Sequence, residues 1–356
     1  MALGVVIHAA MVFNTSHHWI VSDPSGGPAF GVVVNLIHLY RMPVFFLVSG
    51  FFTGLLYLKY PASEFLRSRV IRILVPFVTT LISANALLIW YLQSAGIRPF
   101  TIANWVSHLW FLAFLMFYIL AFFTLQRFGD ALRIPAALLA RICRARLRWP
   151  GLLAVFLAAT FGTHLFIKVF NLWDVLLLGF SDLEDLLNYA VYFVAGLLIF
   201  RCEPLYRMIT GGRFHSAFAA LILAVAVVAQ THFSWPFLLP DIWQEMLRSA
   251  ATFFGAVFLL SWFRRHADID SPRSRLFSDA SYTIYLLHGP FLIGFAMLLL
   301  PMAIPGLIKF FVLIVAVIAS TLALHLWVIA RSPLLALLFN GKVVRPILAK
   351  PPEHRK

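Results

Sequence analysis

Apolar runs long enough to cross a bilayer, or nearly so, recur from one end of this chain to the other. They fall at about 1–16, 30–58, 70–92, 105–126, 151–170, 186–200, 215–231, 249–263, 281–300 and 305–330. A hydrocarbon core of ~30 Å takes about 20 apolar residues as a helix, whereas a membrane β-strand takes about ten alternating ones. Of the 356 residues, 62% are hydrophobic and 12% charged, more apolar surface than a soluble domain can bury. The expectation is an all-α, polytopic transmembrane helical bundle of about ten helices. No repeats or low-complexity linkers stand out, so residues 1–356 read as a single membrane domain. The first run spans about 16 residues, or ~24 Å at 1.5 Å per residue. Its helix is therefore expected to begin upstream of Met1. Without a basic leader or a small-residue cleavage site, no cleavable signal peptide is expected.

Lys and Arg outnumber Asp and Glu by 28 to 14. In a soluble protein that excess would suggest nucleic acid; here the basic residues sit between apolar runs, and topology explains them. Segments 59–69, 127–148, 201–214 and 264–280 and the tail 331–356 all carry several Lys or Arg. Segments 17–29 and 171–185 carry acidic residues and no Lys or Arg, and 301–304 is uncharged. That alternation follows the positive-inside rule with both termini cytoplasmic. The basic loop 127–148 is the one large cytoplasmic excursion and reads as an amphipathic surface helix. Cys143 and Cys202 both fall on the cytoplasmic side, where neither a disulfide nor a metal cluster is expected.

A charge at membrane depth costs about 2.5–3.5 kcal/mol on insertion scales, so such a residue marks function by default. Arg41 is the strongest case, inside "LYRMPVFFLVSGFF" with Pro43, Ser49 and Gly50. His8 lies about two turns below the outer end of helix 1, near the midplane. Arg69 and Arg72 sit at the inner end of helix 3, three residues apart. His108 and Trp110 open helix 4 on the outer side, and Tyr282, Tyr285 and His288 share a face of helix 9. Each has a plainer reading. A lone intramembrane histidine can bond a neighbouring carbonyl, Arg69 and Arg72 can be positive-inside anchors, and Trp19 and Trp110 can be interface aromatics. Read together, they outline a channel with cations at its inner mouth and polar groups at its outer mouth. Arginines suit a phosphate-bearing ligand from the cytoplasm, and an imidazole midway suits a general base.

The segments "VVIHAAMVFNTSHHW", "LIHLYRMPVFFLVSGFF", "LKYPASEFLRSRVIRILVP", "SHLWFLAFLMFY", "DASYTIYLLHGP" and "SPLLALLFNGK" resemble, in order, those of the periplasmic-glucan succinyltransferases of the membrane acyltransferase-3 superfamily. The resemblance runs from residue 4 to about 345. It implies a multi-pass enzyme of the bacterial inner membrane that moves an acyl group from cytoplasmic acyl-CoA to a glycan hydroxyl. The donor it implies is succinyl-CoA and the acceptor an osmoregulated periplasmic glucan. It implies no permanently bound cofactor or metal and no nucleic acid, with membrane lipid and glucan-synthesis proteins as partners. Its essential histidine falls on His8, its helix-2 arginine on Arg41, and its CoA-phosphate pair on Arg69 and Arg72. Tyr285 and His288 are expected on the donor side, and Ser49, His108 and Trp110 on the acceptor side. Direct transfer with His8 as base is expected, and Ser49 as an acyl-carrying nucleophile is the alternative. The superfamily usually carries an arginine about three turns before the histidine, a position before Met1 here. An O-acetyltransferase for another polysaccharide and a glycan or lipid transporter are the competing readings.

Overall fold

The computed structural model describes residues 2–128, 149–173, 175–211, 214–232, 241–266 and 271–342. Each apolar run forms a helix, and two short helices are added to them: α1 (Ala2–Phe13), α2 (Ala29–Lys59), α3 (Ala62–Ser94) and α4 (Trp110–Phe128) come first. After them come α5 (Trp149–Val169), α6 (Leu183–Arg201), a short α7 (Glu203–Thr210) and α8 (Phe214–His232). The chain continues through α9 (Asp241–His266), α10 (Pro272–Leu299), α11 (Gly306–Leu324) and a short α12 (Pro333–Asn340). By length and composition eight of these can cross a membrane; α1 and α8 are shorter apolar helices. Strand is confined, among the described residues, to a two-residue antiparallel pair, Leu176–Leu177 with Ser181–Asp182. The chain is thus an all-α, multi-pass membrane protein.

Three helices begin earlier than their apolar runs: α3 at Ala62, α9 at Asp241 and α10 at Pro272. The added turns are polar, and hydropathy does not see them. In α3 the segment Ala62–Arg69 carries Glu64, Arg67 and Arg69 yet buries Phe65 completely. In α10 a reciprocal capping box fixes the start: Ser271 Oγ accepts from Ser274 N, and Ser274 Oγ from Ser271 N. The proposed surface helix in 127–148, apart from its first two residues, and the tail beyond Lys342 lie outside the described residues. Cys202, buried at the end of α6, is disulfide-bonded, against the expectation of free thiols. Cys143 lies outside the described residues.

Lipid tails are as apolar as leucine, so close packing rather than exclusion of water holds such helices together. The tightest crossing joins α2 and α6. A Cβ on Gly50 would lie 2.0 Å from Phe193 O, and one on Gly196 would lie 1.9 Å from Leu47 O. Glycine on both helices is what lets the two backbones meet. Beside this crossing Phe46 is fully buried, stacked on Tyr189 at 4.9 Å. A leucine at either glycine would force the pair apart.

Contacts between loops fix which ends belong together. Arg98 donates to Trp19 O at 3.0 Å, Lys309 pairs with Asp23 at 2.7 Å, and Gly179 faces Ile102. The acidic and uncharged loops therefore share one end, which the charge pattern assigns to the outside. At the other end Lys342 pairs with Asp279 at 2.7 Å, and Gly341 lies against the Arg72 backbone.

Candidate active site

A cavity of about 340 Å³ opens at the outer end between α1, α2, α4 and α10. Trp19, Arg98 and Asn104 form its rim, and His8, Arg41 and His288 lie within it. Two prolines help build its walls. Proline lacks the N–H that would bond the carbonyl four residues back. In α2, Pro43 frees Leu39 O, which accepts from Thr252 Oγ1 of α9 at 3.0 Å. In α10, Pro290 frees Leu286 O, which accepts from His108 Nε2 at 3.1 Å.

His108 is held from three directions. Its Nε2 bonds Leu286 O, its carbonyl accepts from Tyr285 Oη at 2.8 Å, and its ring packs on Gly289. A Cβ at Gly289 would fall 2.7 Å from the His108 Cε1, so glycine there is required by the ring. The chain enters this position through Ser107, whose φ of +48° is disfavoured for any residue but glycine.

Three imidazoles converge. The rings of His8 and His288 are centred 5.1 Å apart, those of His108 and His288 4.6 Å, and those of His8 and His108 6.4 Å. Trp19 packs against His8 with its ring tilted by 55° and the ring centres 5.5 Å apart. Arg41 completes the set: its Nε is buried without a hydrogen-bond partner, and no carboxylate pairs with it among the described residues. A desolvated guanidinium without a counter-ion is costly. It is therefore a standing donor for an oxygen that carries negative charge. On the far wall Trp110 stacks on Tyr189 at 5.7 Å, which fixes the indole plane beside the cavity.

The outer loop over the cavity is anchored separately. Lys309 and Asp23 are 2% and 3% exposed, and Asp23 also accepts from Ser25 N and Oγ. Burial works against the Asp23 carboxylate, but the hydrogen bonds from Lys309 and Ser25 outweigh it and hold the carboxyl below its ordinary range.

Of the residues singled out in the sequence, His8, Arg41, His108, Trp110, Tyr285 and His288 line this one cavity. Ser49, Arg69 and Arg72 do not. Ser49 gives its carbonyl to Thr53 Oγ1 beside the α2–α6 crossing. Arg69 and Arg72 sit at the opposite end, and a π-helical segment, Val70–Leu74, begins between them. The wider π turn spreads the pair further round the helix than an α-helical spacing would. Arg98, on the cavity lining, and the pairing of Lys309 with Asp23 are not among the residues the sequence motifs single out. Arg98 had a signal: it is the one Lys or Arg between Gln93 and His108, in a segment assigned to the outside.

A family model described as an acyltransferase domain matches residues 1–329. The chain is 27% identical to glucans biosynthesis protein C of Salmonella agona (strain SL483), over 96% of this chain and 92% of the relative. The same-named proteins of Salmonella schwarzengrund (strain CVM19633) and Salmonella heidelberg (strain SL476) are 27% and 26% identical, with the same coverage. No solved structure matches at a significant level. With the family's domain covering nearly all of its helices, the chain belongs to the membrane acyltransferases of the acyltransferase-3 family.

Proposed function

We propose that this protein is an O-acyltransferase of a bacterial inner membrane, transferring succinyl from cytoplasmic succinyl-CoA to hydroxyls of an osmoregulated periplasmic glucan. The observation that carries the reading is the convergence of three imidazoles and an unpaired guanidinium in a cavity open to the outer end. The name of the Salmonella relatives supports the glucan as acceptor; succinyl follows from the sequence resemblance. A sugar enters past Trp19 and Trp110, whose ring faces suit the apolar faces of pyranoses. His8 takes the hydroxyl proton as the oxygen attacks the thioester carbonyl, and Arg41 stabilises the oxyanion. The C–S bond then breaks, and the thiolate recovers the proton from the imidazolium. Arg69 and Arg72, at the opposite end, receive the CoA phosphates. Tyr285 and His288 contribute from the wall between acceptor and donor, and lipid and glucan-synthesis proteins are the surrounding partners.

The test is transfer of radiolabel from succinyl-CoA and from acetyl-CoA in vesicles that hold the protein and periplasmic glucan. Label on the glucan from succinyl-CoA alone supports the full reading. Label from acetyl-CoA moves the protein to an O-acetyltransferase. Movement of glycan or lipid across the vesicle without loss of thioester makes it a transporter.

A further inference from the structure

The three imidazoles of the cavity are not equivalent. His108 spends its Nε2 proton on Leu286 O and packs its other nitrogen against Gly289. His288 does the reverse. Its Nδ1 lies 2.6 Å from Tyr285 O, and a carbonyl only accepts, so Nδ1 carries the proton and Nε2 the lone pair. That Nε2 is buried without a partner, on a side chain 2% exposed. His8 has no fixing hydrogen bond among the described residues. A base needs one, because an imidazole free to exchange tautomers presents its lone pair only part of the time.

The place where His288 Nε2 points is defined by Gly4. A Cβ on Gly4 would lie 3.9 Å from His288 Nε2 and 3.7 Å from Arg41 Nη1. On an α-helix a side chain lies over the turn N-terminal to its own Cα. His8, four residues on, therefore covers the bare turn at Gly4. The notch of a missing side chain lets the His288 edge reach the His8 ring, with centroids 5.1 Å apart and planes at 68°.

We propose that His288 is the positioning residue for His8: its Nε2, fixed as an acceptor by the Tyr285 carbonyl, takes the hydrogen bond of the His8 N–H and leaves the other His8 nitrogen free to accept the acceptor-hydroxyl proton. The chain runs Tyr285 C=O, His288 Nδ1–H, His288 Nε2, His8 N–H, sugar hydroxyl. The contact is open without substrate and closes when the hydroxyl binds, as catalytic hydrogen bonds commonly do. The inference rests on His8 as the base of the proposed transfer. Two conditions follow from it. His288 must hold the Nδ1–H tautomer in the resting protein, and its loss must act on turnover rather than on binding.

Solid-state ¹⁵N NMR of the histidine-labelled full chain in lipid vesicles reads the first condition without turnover, with His288→Gln assigning the signals. A protonated Nδ1 and an unprotonated Nε2 are expected; the opposite tautomer overturns the inference whatever the activity. Kinetics of acyl transfer to glucan read the second. His288→Leu is expected to lower kcat by roughly 100-fold or more while KM for both substrates stays within about threefold. His288→Gln, whose Oε1 offers an acceptor near the place of Nε2, is expected to recover at least about tenfold of that loss. An active wild type with a His288→Leu kcat within threefold, or a glutamine variant no better than leucine, overturns the role of His288 alone. A wild type that transfers no acyl group from either thioester overturns the transfer reading, and this role with it.

Discussion

Two hollows lie against α2. The first, about 340 Å³, takes in Arg41, Met42 and Phe45; the second, about 670 Å³, takes in Leu47 and runs between α5, α6 and α9. The larger is lined by aliphatic and phenyl side chains, with Thr163 and Tyr192 its only polar ones. Thr163 is already satisfied within its own helix, by Ala159 O at 3.0 Å. The smaller holds Arg41 Nε and His288 Nε2, both buried and unpartnered. In a bilayer an apolar hollow costs nothing to leave to lipid, so size says little. An unsatisfied polar atom costs about 1–3 kcal/mol and is kept only where something repays it. The difference supports the smaller cavity as the place of the proposed transfer.

The largest effect that tests this contrast is at His8. His8→Ala is expected to cut acyl transfer by at least roughly 100-fold with expression and thermal unfolding unchanged; transfer assays with a melting curve decide it. Next comes the anchor of the outer loop. Lys309→Met strands the buried Asp23 carboxylate and is expected to cost about 3–5 kcal/mol, seen as a lowered Tm in detergent. The pH dependence has a definite sign. The Asp23 carboxyl is held below its ordinary range, so its contribution is complete above that range and disappears as pH falls through the lowered value. Wild type should therefore show an acid-side loss of Tm that Asp23→Asn lacks. Gly289→Ala puts a methyl into the His108 ring and is expected to lower transfer about tenfold and stability by about 1–3 kcal/mol. Pro290→Ala restores an N–H that competes with His108 for Leu286 O, and a loss of about two- to fivefold in kcat is expected. The smallest effect belongs to the other hollow. Ala159→Leu should leave transfer within about twofold of wild type, since the group added there enters a hollow lined almost wholly by apolar side chains. A large loss at Ala159 would break the contrast.

Much of the fold was legible because the bilayer imposes it. Each apolar run became a helix, and the alternation of charge separates two sets of loops that do touch one another at opposite ends. What stayed hidden depended on partners far apart in sequence. Lys309 reads as one cation in an apolar run and Asp23 as one loop acid, though 286 residues apart they form a buried pair. The starts of α3 and α10 are set by Phe65 burial and a Ser271 cap, not by hydropathy. In the site, Arg41 and His8 were legible because charge and imidazole are expensive at that depth. The tautomers were not. They follow from which carbonyls Pro290 and the α10 backbone leave open, and that needs the fold.

The most direct measurement is a structure of the full-length protein in lipid with a short glucan oligosaccharide bound. The account predicts sugar in the smaller cavity, between Trp19 and Trp110, with one hydroxyl within hydrogen-bond reach of His8. Sugar seated elsewhere, with that cavity closed to it, would contradict the account.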